Sequence, residues 1–174
     1  MTSGLVNGAY TAPILVLGLG NTLLGDDGFG PTLLEKLAER YPYAGGFIEF
    51  LDGGTQGLNL LGRLAGRQAL IVLDALATGA KPGTVSVLEG SEVVRFATSR
   101  STTAHEGNAG ELLATAAFLG DLPEQCFVVG VQPAELETGI GLSRDVQGSL
   151  QAALSQAQNV VDQLLVELAE PVQA

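Results

Sequence analysis

The sequence predicts an α/β domain of three layers, in which helices cover both faces of a mostly parallel, five-stranded twisted sheet. Two continuously apolar runs, 14–19 and 69–73, are typical of strands buried on both faces of a parallel sheet. Helical patterns alternate with the strand patterns along the chain, as the connections of a parallel sheet require. With 174 residues, the chain is expected to form a single domain over 1–174, with loose ends at about 1–12 and 170–174.

The order of the strands follows from the lengths of their connections. Strands are predicted at 14–19, 47–52, 69–74, 84–88 and 126–131. Only about eight residues join strands 3 and 4, whereas a parallel crossover needs roughly a dozen or more. We therefore expect the order 2-1-3-5, with strand 4 antiparallel and on an edge.

The helical segments are marked by apolar stripes and by capping residues. Helices are predicted over 31–41, over 58–65, from a cap at Asn108, and from a cap at Ser143. Residues 91–108 are rich in Ser and Thr and have no periodic pattern, so we expect them to form a surface loop.

Acidic side chains follow three of the predicted strands. Asp26 and Asp27 lie in a glycine-rich turn after strand 1. Asp52 ends strand 2, and Asp74 ends strand 3. Because ligands of open parallel sheets bind beyond the carboxyl ends of the strands, at the point where the strand order reverses, we expect these acids at one functional edge. The single histidine, His105, is expected at the same edge.

The residues alone leave three kinds of site open. The turn begins like a dinucleotide-binding fingerprint, but Leu23 stands where the third glycine is expected, and two carboxylates would repel a pyrophosphate. A receiver domain with Mg²⁺ and a phosphorylated Asp74 is the second alternative, although Gln132 stands where such domains carry a lysine. One imidazole with two carboxylates would suit a borderline divalent metal, with coordination positions left open.

Composition narrows the range of partners. The chain has 19 Asp and Glu against 8 Lys and Arg, a formal net charge of -11, so neither nucleic acid nor an acidic membrane is expected as a partner. Cys126 is the only cysteine, which excludes an internal disulfide and favours a reducing cytoplasm. We find neither a signal peptide nor an apolar run of the roughly 20 residues that span a membrane.

Several motifs together resemble the nickel–iron hydrogenase maturation endopeptidases. The resemblance extends over about 13–168, in the family's order along the chain. Its motifs are Gly18-Leu-Gly-Asn-Thr-Leu-Leu-Gly-Asp-Asp-Gly-Phe-Gly30, Asp52-Gly-Gly-Thr-Gln-Gly-Leu58, the strand end Asp74-Ala75, a histidine before the third helix, Gly-Val-Gln-Pro133 and Gly141-Leu-Ser143. The sequence contains neither a Gly-x-Ser-x-Gly elbow nor a His-Glu-x-x-His helix, so conventional protease chemistry is poorly supported.

The resemblance implies a function and a set of site residues. It implies an endopeptidase that removes the C-terminal extension of a hydrogenase large-subunit precursor after nickel insertion, with the bound nickel as recognition element. The catalytic and nickel-contacting residues would be Asp27, Asp74 and His105. Position 27 is often Glu in the family, so this carboxylate is one methylene shorter. Three further residues are expected to support the cleft or only to shape its turns: Asn21, Asp26 and Asp52.

The resemblance also indicates where the metal would come from. Nickel would arrive with the substrate, and no organic cofactor would be needed. The resting enzyme is expected to be metal-free, because three ligands without the thiolates of the substrate make a weak metal site. The alternative function is a non-catalytic metal-binding or receiver-like signalling module on the same fold.

Overall fold

The structure is a computed structural model that describes residues 11–99, 107–134 and 136–169. Its strands are β1 (Ile14–Leu19), β2 (Ile48–Gly54), β3 (Ala69–Ala75), β4 (Val85–Glu89) and β5 (Gln125–Val131). They form one sheet in the order β2-β1-β3-β5-β4. All neighbours are parallel except β4, which is antiparallel to β5. The predicted fold class, strand order and antiparallel edge strand are confirmed.

Helices cover both faces of the sheet. They are α1 (Phe29–Ala38), α2 (Leu61–Leu64), α3 (Ser91–Thr98), α4 (Gly107–Leu119) and α5 (Arg144–Ala169), and 3-10 turns precede α1 and α2. One apolar cluster joins α1 and α5 to the sheet, and a second joins α2, α3 and α4 to its other face. None of the described helices combines the length and the apolar character that crossing a bilayer would require.

The two continuously apolar runs are buried on both faces of the sheet, as predicted. Every residue of β1 and β3 is buried. Along β1, Ile14 and Val16 belong to the cluster under α1 and α5, whereas Leu15 and Leu17 belong to the opposite cluster. Because successive side chains of a strand point to opposite faces, a strand covered on both sides must be apolar throughout.

Two predictions for the segment between β4 and β5 are wrong. The expected loop over 91–108 contains the helix α3, whose Val93 and Ala97 are buried one turn apart. Two turns are too short to produce a clear periodic signal among Ser and Thr residues. In addition, α4 begins at Gly107, so the helix starts one residue before the predicted cap position, Asn108. Residues 100–106 lie outside the described residues.

The two predicted loose ends fall mostly outside the described residues, which exclude 1–10 and 170–174. Residues 11 and 12 are described, and the carbonyl oxygen of Ala12 accepts a hydrogen bond from Arg67 Nη1 at 2.7 Å.

A close helix–sheet contact positions the functional edge. A Cβ atom on Gly30 would lie 2.1 Å from the carbonyl oxygen of Leu19 and 2.4 Å from that of Leu73. Only glycine therefore lets the first turn of α1 approach the ends of β1 and β3 so closely. The approach holds the turn that carries Asp26 and Asp27 against the end of β3.

Candidate active site

The acids lie at the carboxyl edge of the sheet. Asp26 and Asp27 occupy the 3-10 turn Gly25–Gly28, which follows β1 and leads into α1. Asp52 is in register with Gly18 of β1. On the other side of β1, Gly18 is in register with Leu73, the residue before Asp74. Parallel pairing thus brings the acids of three strand exits to one edge.

Asp27 is held by the backbone of its own turn. Its Oδ2 atom accepts a hydrogen bond from the backbone N–H of Asn21 at 2.7 Å, and its side chain is half-buried. Gly20 has φ of +128°, and a Cβ there would lie 1.8 Å from the Asp27 carbonyl oxygen. The turn therefore requires glycine at position 20 in order to fold back against Asp27.

Asn21 shapes this turn with its side chain as well. Its Oδ1 atom accepts a hydrogen bond from the backbone N–H of Leu23 at 3.0 Å, a bond typical of an Asx turn. Asn21 thus has two structural tasks, since its own backbone N–H orients the carboxylate of Asp27.

Asp26 is fully buried and accepts three hydrogen bonds from described residues that are 108 and 117 positions away in the chain. Oδ2 accepts from the backbone N–H of Ala134 and from the Ser143 hydroxyl, both at 2.8 Å, and Oδ1 accepts from the backbone N–H of Ser143 at 2.7 Å. The backbone N–H of Gly25 also donates a hydrogen bond to the carbonyl oxygen of Gly139 at 2.9 Å, which joins the same two segments. Asp26 therefore fastens the turn to both ends of the loop between β5 and α5.

The role of Ser143 at this site was not foreseen from the sequence. Its predicted capping is confirmed, because Val146 N–H donates to Ser143 Oγ at 3.4 Å. The same hydroxyl also reaches Asp26, which lies 117 residues earlier. A capping pattern is local, so nothing in the sequence pattern revealed this second partner.

Asp74 is more enclosed than Asp27, with 7% of its surface exposed. Its Oδ1 atom accepts a hydrogen bond from the backbone N–H of Ala75 at 2.8 Å. The loop that follows is held by Gln132, whose Oε1 accepts from the backbone N–H groups of Thr78 at 2.7 Å and Gly79 at 3.0 Å. Gln132 therefore stands where a receiver domain would carry a lysine, and here it orders the loop that follows β3.

Asp52 is exposed and has a turn-forming bond, because its Oδ1 accepts from the backbone N–H of Gly54 at 2.9 Å. It also lines a cavity of about 230 Å³ beside Asn21 and Thr55. The geometry is thus compatible with both roles expected for this residue.

The structure describes two of the three predicted metal ligands, Asp27 and Asp74. His105 lies outside the described residues, and those residues contain no group of three or more His, Cys, Asp or Glu arranged to hold a metal ion. The assignment of Asp27, Asp74 and His105 as a nickel-contacting set therefore stays a prediction. Cys126 is not a nucleophile candidate, since burial raises the pKa of its thiol to about 12 and keeps it neutral.

Comparison with known proteins identifies the family. A family model described as "Hydrogenase maturation protease" matches residues 31–160. The chain belongs to the hydrogenase maturation protease family. The "Hydrogenase 2 maturation protease" of Escherichia coli K12 is 39% identical over 144 residues, 82% of this chain and 87% of that protein. The hydrogenase expression/formation protein HupM of Azotobacter chroococcum is 43% identical over 143 residues, 82% of this chain and 68% of that protein.

Solved structures of maturation proteases have the same fold. The hydrogenase maturating endopeptidase HybD of E. coli is 37% identical, with a TM-score of 0.76 over 86% of this chain and 92% of that one. The HybD protease of Thermococcus kodakarensis is 29% identical, with a TM-score of 0.66 over 84% and 97%. This hydrogenase maturation protease is accordingly a hydrolase of the endopeptidase class. The nucleotide-binding and receiver-like interpretations are set aside.

Proposed function

We propose that this endopeptidase removes the C-terminal extension from the large-subunit precursor of a nickel–iron hydrogenase after nickel has been inserted, and that the precursor-bound nickel is its recognition element. The observation that carries the proposal is the close contact of Gly30 with the carbonyl oxygens of Leu19 and Leu73. This contact holds the turn of Asp27 against the strand end that carries Asp74. We propose that these two carboxylates, which follow β1 and end β3, bind one substrate cation together.

The proposed ligand chemistry suits nickel. Carboxylate oxygen and imidazole nitrogen bind borderline divalent ions, and a set of three leaves other positions to the ligands that the precursor supplies. Asp27, Asp74 and His105 are the proposed set, and nickel belongs to the substrate. The hydrogen bond from Asn21 N–H fixes one oxygen of Asp27, so the shorter side chain reaches the metal from a defined direction.

The nickel would place one peptide bond in the cleft. Hydrolysis adds a water molecule across that bond, breaks the carbon–nitrogen link, and leaves a new carboxylate on the mature subunit and an amine on the released extension. Holding the reacting groups at the correct distance and orientation is itself a large source of rate enhancement. We place the reaction in the cytoplasm, which the single unpaired cysteine supports.

The test uses one large-subunit precursor in nickel-loaded and nickel-free forms. After incubation with the protein, intact-mass measurement is expected to detect loss of the extension from the nickel-loaded form alone. An unchanged mass of the confirmed cognate, nickel-loaded precursor would contradict the proposed function. Equal cleavage of the two forms would contradict nickel recognition but leave the endopeptidase activity in place.

A further inference from the structure

A groove between α1 and the edge strand β2 opens at the candidate active site. It consists of two adjoining cavities of about 430 Å³ and about 230 Å³. Both cavities are lined by Thr22, Pro31 and Asp52, so they form one continuous depression. The smaller one ends at Asn21, whose backbone N–H holds Asp27.

The groove has an apolar floor and an acidic rim. Leu34, Ala38 and Phe50 line the larger cavity and are at least partly buried. Glu35 and Asp52 are exposed on its rim. Among the described residues that line the two cavities there is no Lys or Arg, so the rim is negative without compensation.

We propose that this groove binds the C-terminal extension of the precursor, as an extended segment with apolar side chains and a Lys or Arg. The inference rests on the proposed function, because only a substrate cut at the adjoining carboxylates would continue into the groove. The larger cavity falls in the range of about 300–1,000 Å³ that accepts drug-sized ligands, which admits a few residues of chain but not a folded subunit.

The neighbouring sheet edge supports an extended conformation. β2 is an edge strand among the described strands, and Phe50 and Asp52 belong to it. Segments that lie along a sheet edge gain main-chain hydrogen bonds, while pockets select their side chains. Binding of the extension away from the scissile bond would position that bond and distinguish one precursor from another.

Charge reversal on the rim tests the proposal. In processing assays over a range of nickel-loaded precursor concentrations, Glu35→Lys is expected to raise KM about tenfold with little change in kcat, since like charges disfavour association. Glu39→Lys is the matched control: it makes the same charge change one turn along, in a separate cavity beside Lys36 and Arg40. Replacing the basic residue of the extension by Glu is expected to restore the KM of Glu35→Lys.

A second variant tests the role of the apolar floor of the groove. Ala38→Phe fills the larger cavity and is expected to raise KM in the same way, with folding checked by urea unfolding. A synthetic peptide of the extension, titrated into ¹⁵N-labelled protein, is expected to shift the amide signals of Glu35, Ala38 and Phe50 more than that of Glu39.

The outcomes separate the two claims. Normal wild-type cleavage with equal KM values for Glu35→Lys, Glu39→Lys and wild type would overturn the groove assignment alone. Peptide shifts confined to other surfaces would do the same. If the wild-type protein cleaves no nickel-loaded precursor, the proposed function falls and the role of the groove falls with it.

Discussion

Asp26 accepts two hydrogen bonds from Ser143, one from the backbone N–H at 2.7 Å and one from the hydroxyl at 2.8 Å, across 117 residues of chain. The carboxylate is fully buried and also accepts from the backbone N–H of Ala134. Since Asp27 is the next residue, the geometry of the proposed nickel ligand depends on the start of α5. A long-range polar contact therefore supports a site made of local turns.

Removal of the Asp26 carboxylate is expected to be costly. Asp26→Ala deprives the three donors among the described residues of their acceptor and should lower the free energy of unfolding by about 3 kcal/mol. Ser143→Ala removes one of these bonds and the cap of α5, which should lower the free energy of unfolding by about 1–2 kcal/mol. Urea unfolding measures both, and Ser143→Thr, which keeps a hydroxyl, should recover most of the loss. An Asp26→Ala midpoint equal to that of the wild type would show that the contact does not stabilise the fold.

The contact of α1 with the strand ends can be tested at Gly30. Gly30→Ala would place a Cβ against two backbone oxygens, so the helix must move, and we expect a loss of at least about 3 kcal/mol in unfolding free energy together with loss of processing. Gly62→Ala is the control, because it is in α2 with nothing within 4 Å of its Cβ, and it should be neutral or slightly stabilising. Equal stability of the two variants would mean that the close approach is not required.

Glu49 predicts a specific acid sensitivity. It forms ion pairs with Arg63 and with Arg67, whose side chain is almost fully buried. Burial of Glu49 favours its neutral form, but the hydrogen bonds and charges of Arg67 and Arg63 outweigh this and lower the pKa of the carboxyl below its usual 4.5. A lowered pKa contributes stability above the unfolded-state pKa, and that stability is lost as the pH falls through the folded-state value.

Glu49→Gln is therefore expected to be less stable than the wild type at pH 7, by about 1 kcal/mol because the pair is partly exposed. The difference should shrink as the pH falls below 4.5 towards the folded-state pKa. Urea midpoints of both proteins across this range measure it. A difference that stays constant down to pH 3 would contradict the assigned role of the ion pairs.

Cys126 is expected to be inert in the folded protein. Burial raises the pKa of its thiol to about 12, so almost no thiolate is present at pH 8. A maleimide reagent monitored by mass should label the native protein far more slowly than the protein in urea. Equal labelling rates in the two states would show that the thiol is accessible and ionised in the fold.

The sequence predicted those features that depend on local pattern. The bounds of β1 were correct because a strand covered on both faces is apolar throughout, and Asp74 was expected at the functional edge because parallel strands end together. The helix α3 was missed because two turns among Ser and Thr residues leave too short a pattern. The bonds between Asp26 and Ser143 could not be predicted, since either residue alone is explained by its own turn or cap.

The most direct test of the central claim is the mass of the large subunit after incubation of nickel-loaded precursor with Asp27→Asn or Asp74→Asn. Both substitutions keep the side-chain shape and remove the negative charge that would meet nickel. Asp121→Asn is the matched control, because Asp121 precedes β5 and therefore lies at the amino ends of the parallel strands, away from the proposed site. We predict that wild type and Asp121→Asn remove the extension, while both site variants are slower by about 100-fold or more, the scale on which misplacing a substrate lowers a rate. Processing at the wild-type rate by both site variants would contradict the proposal that these two carboxylates recognise the nickel.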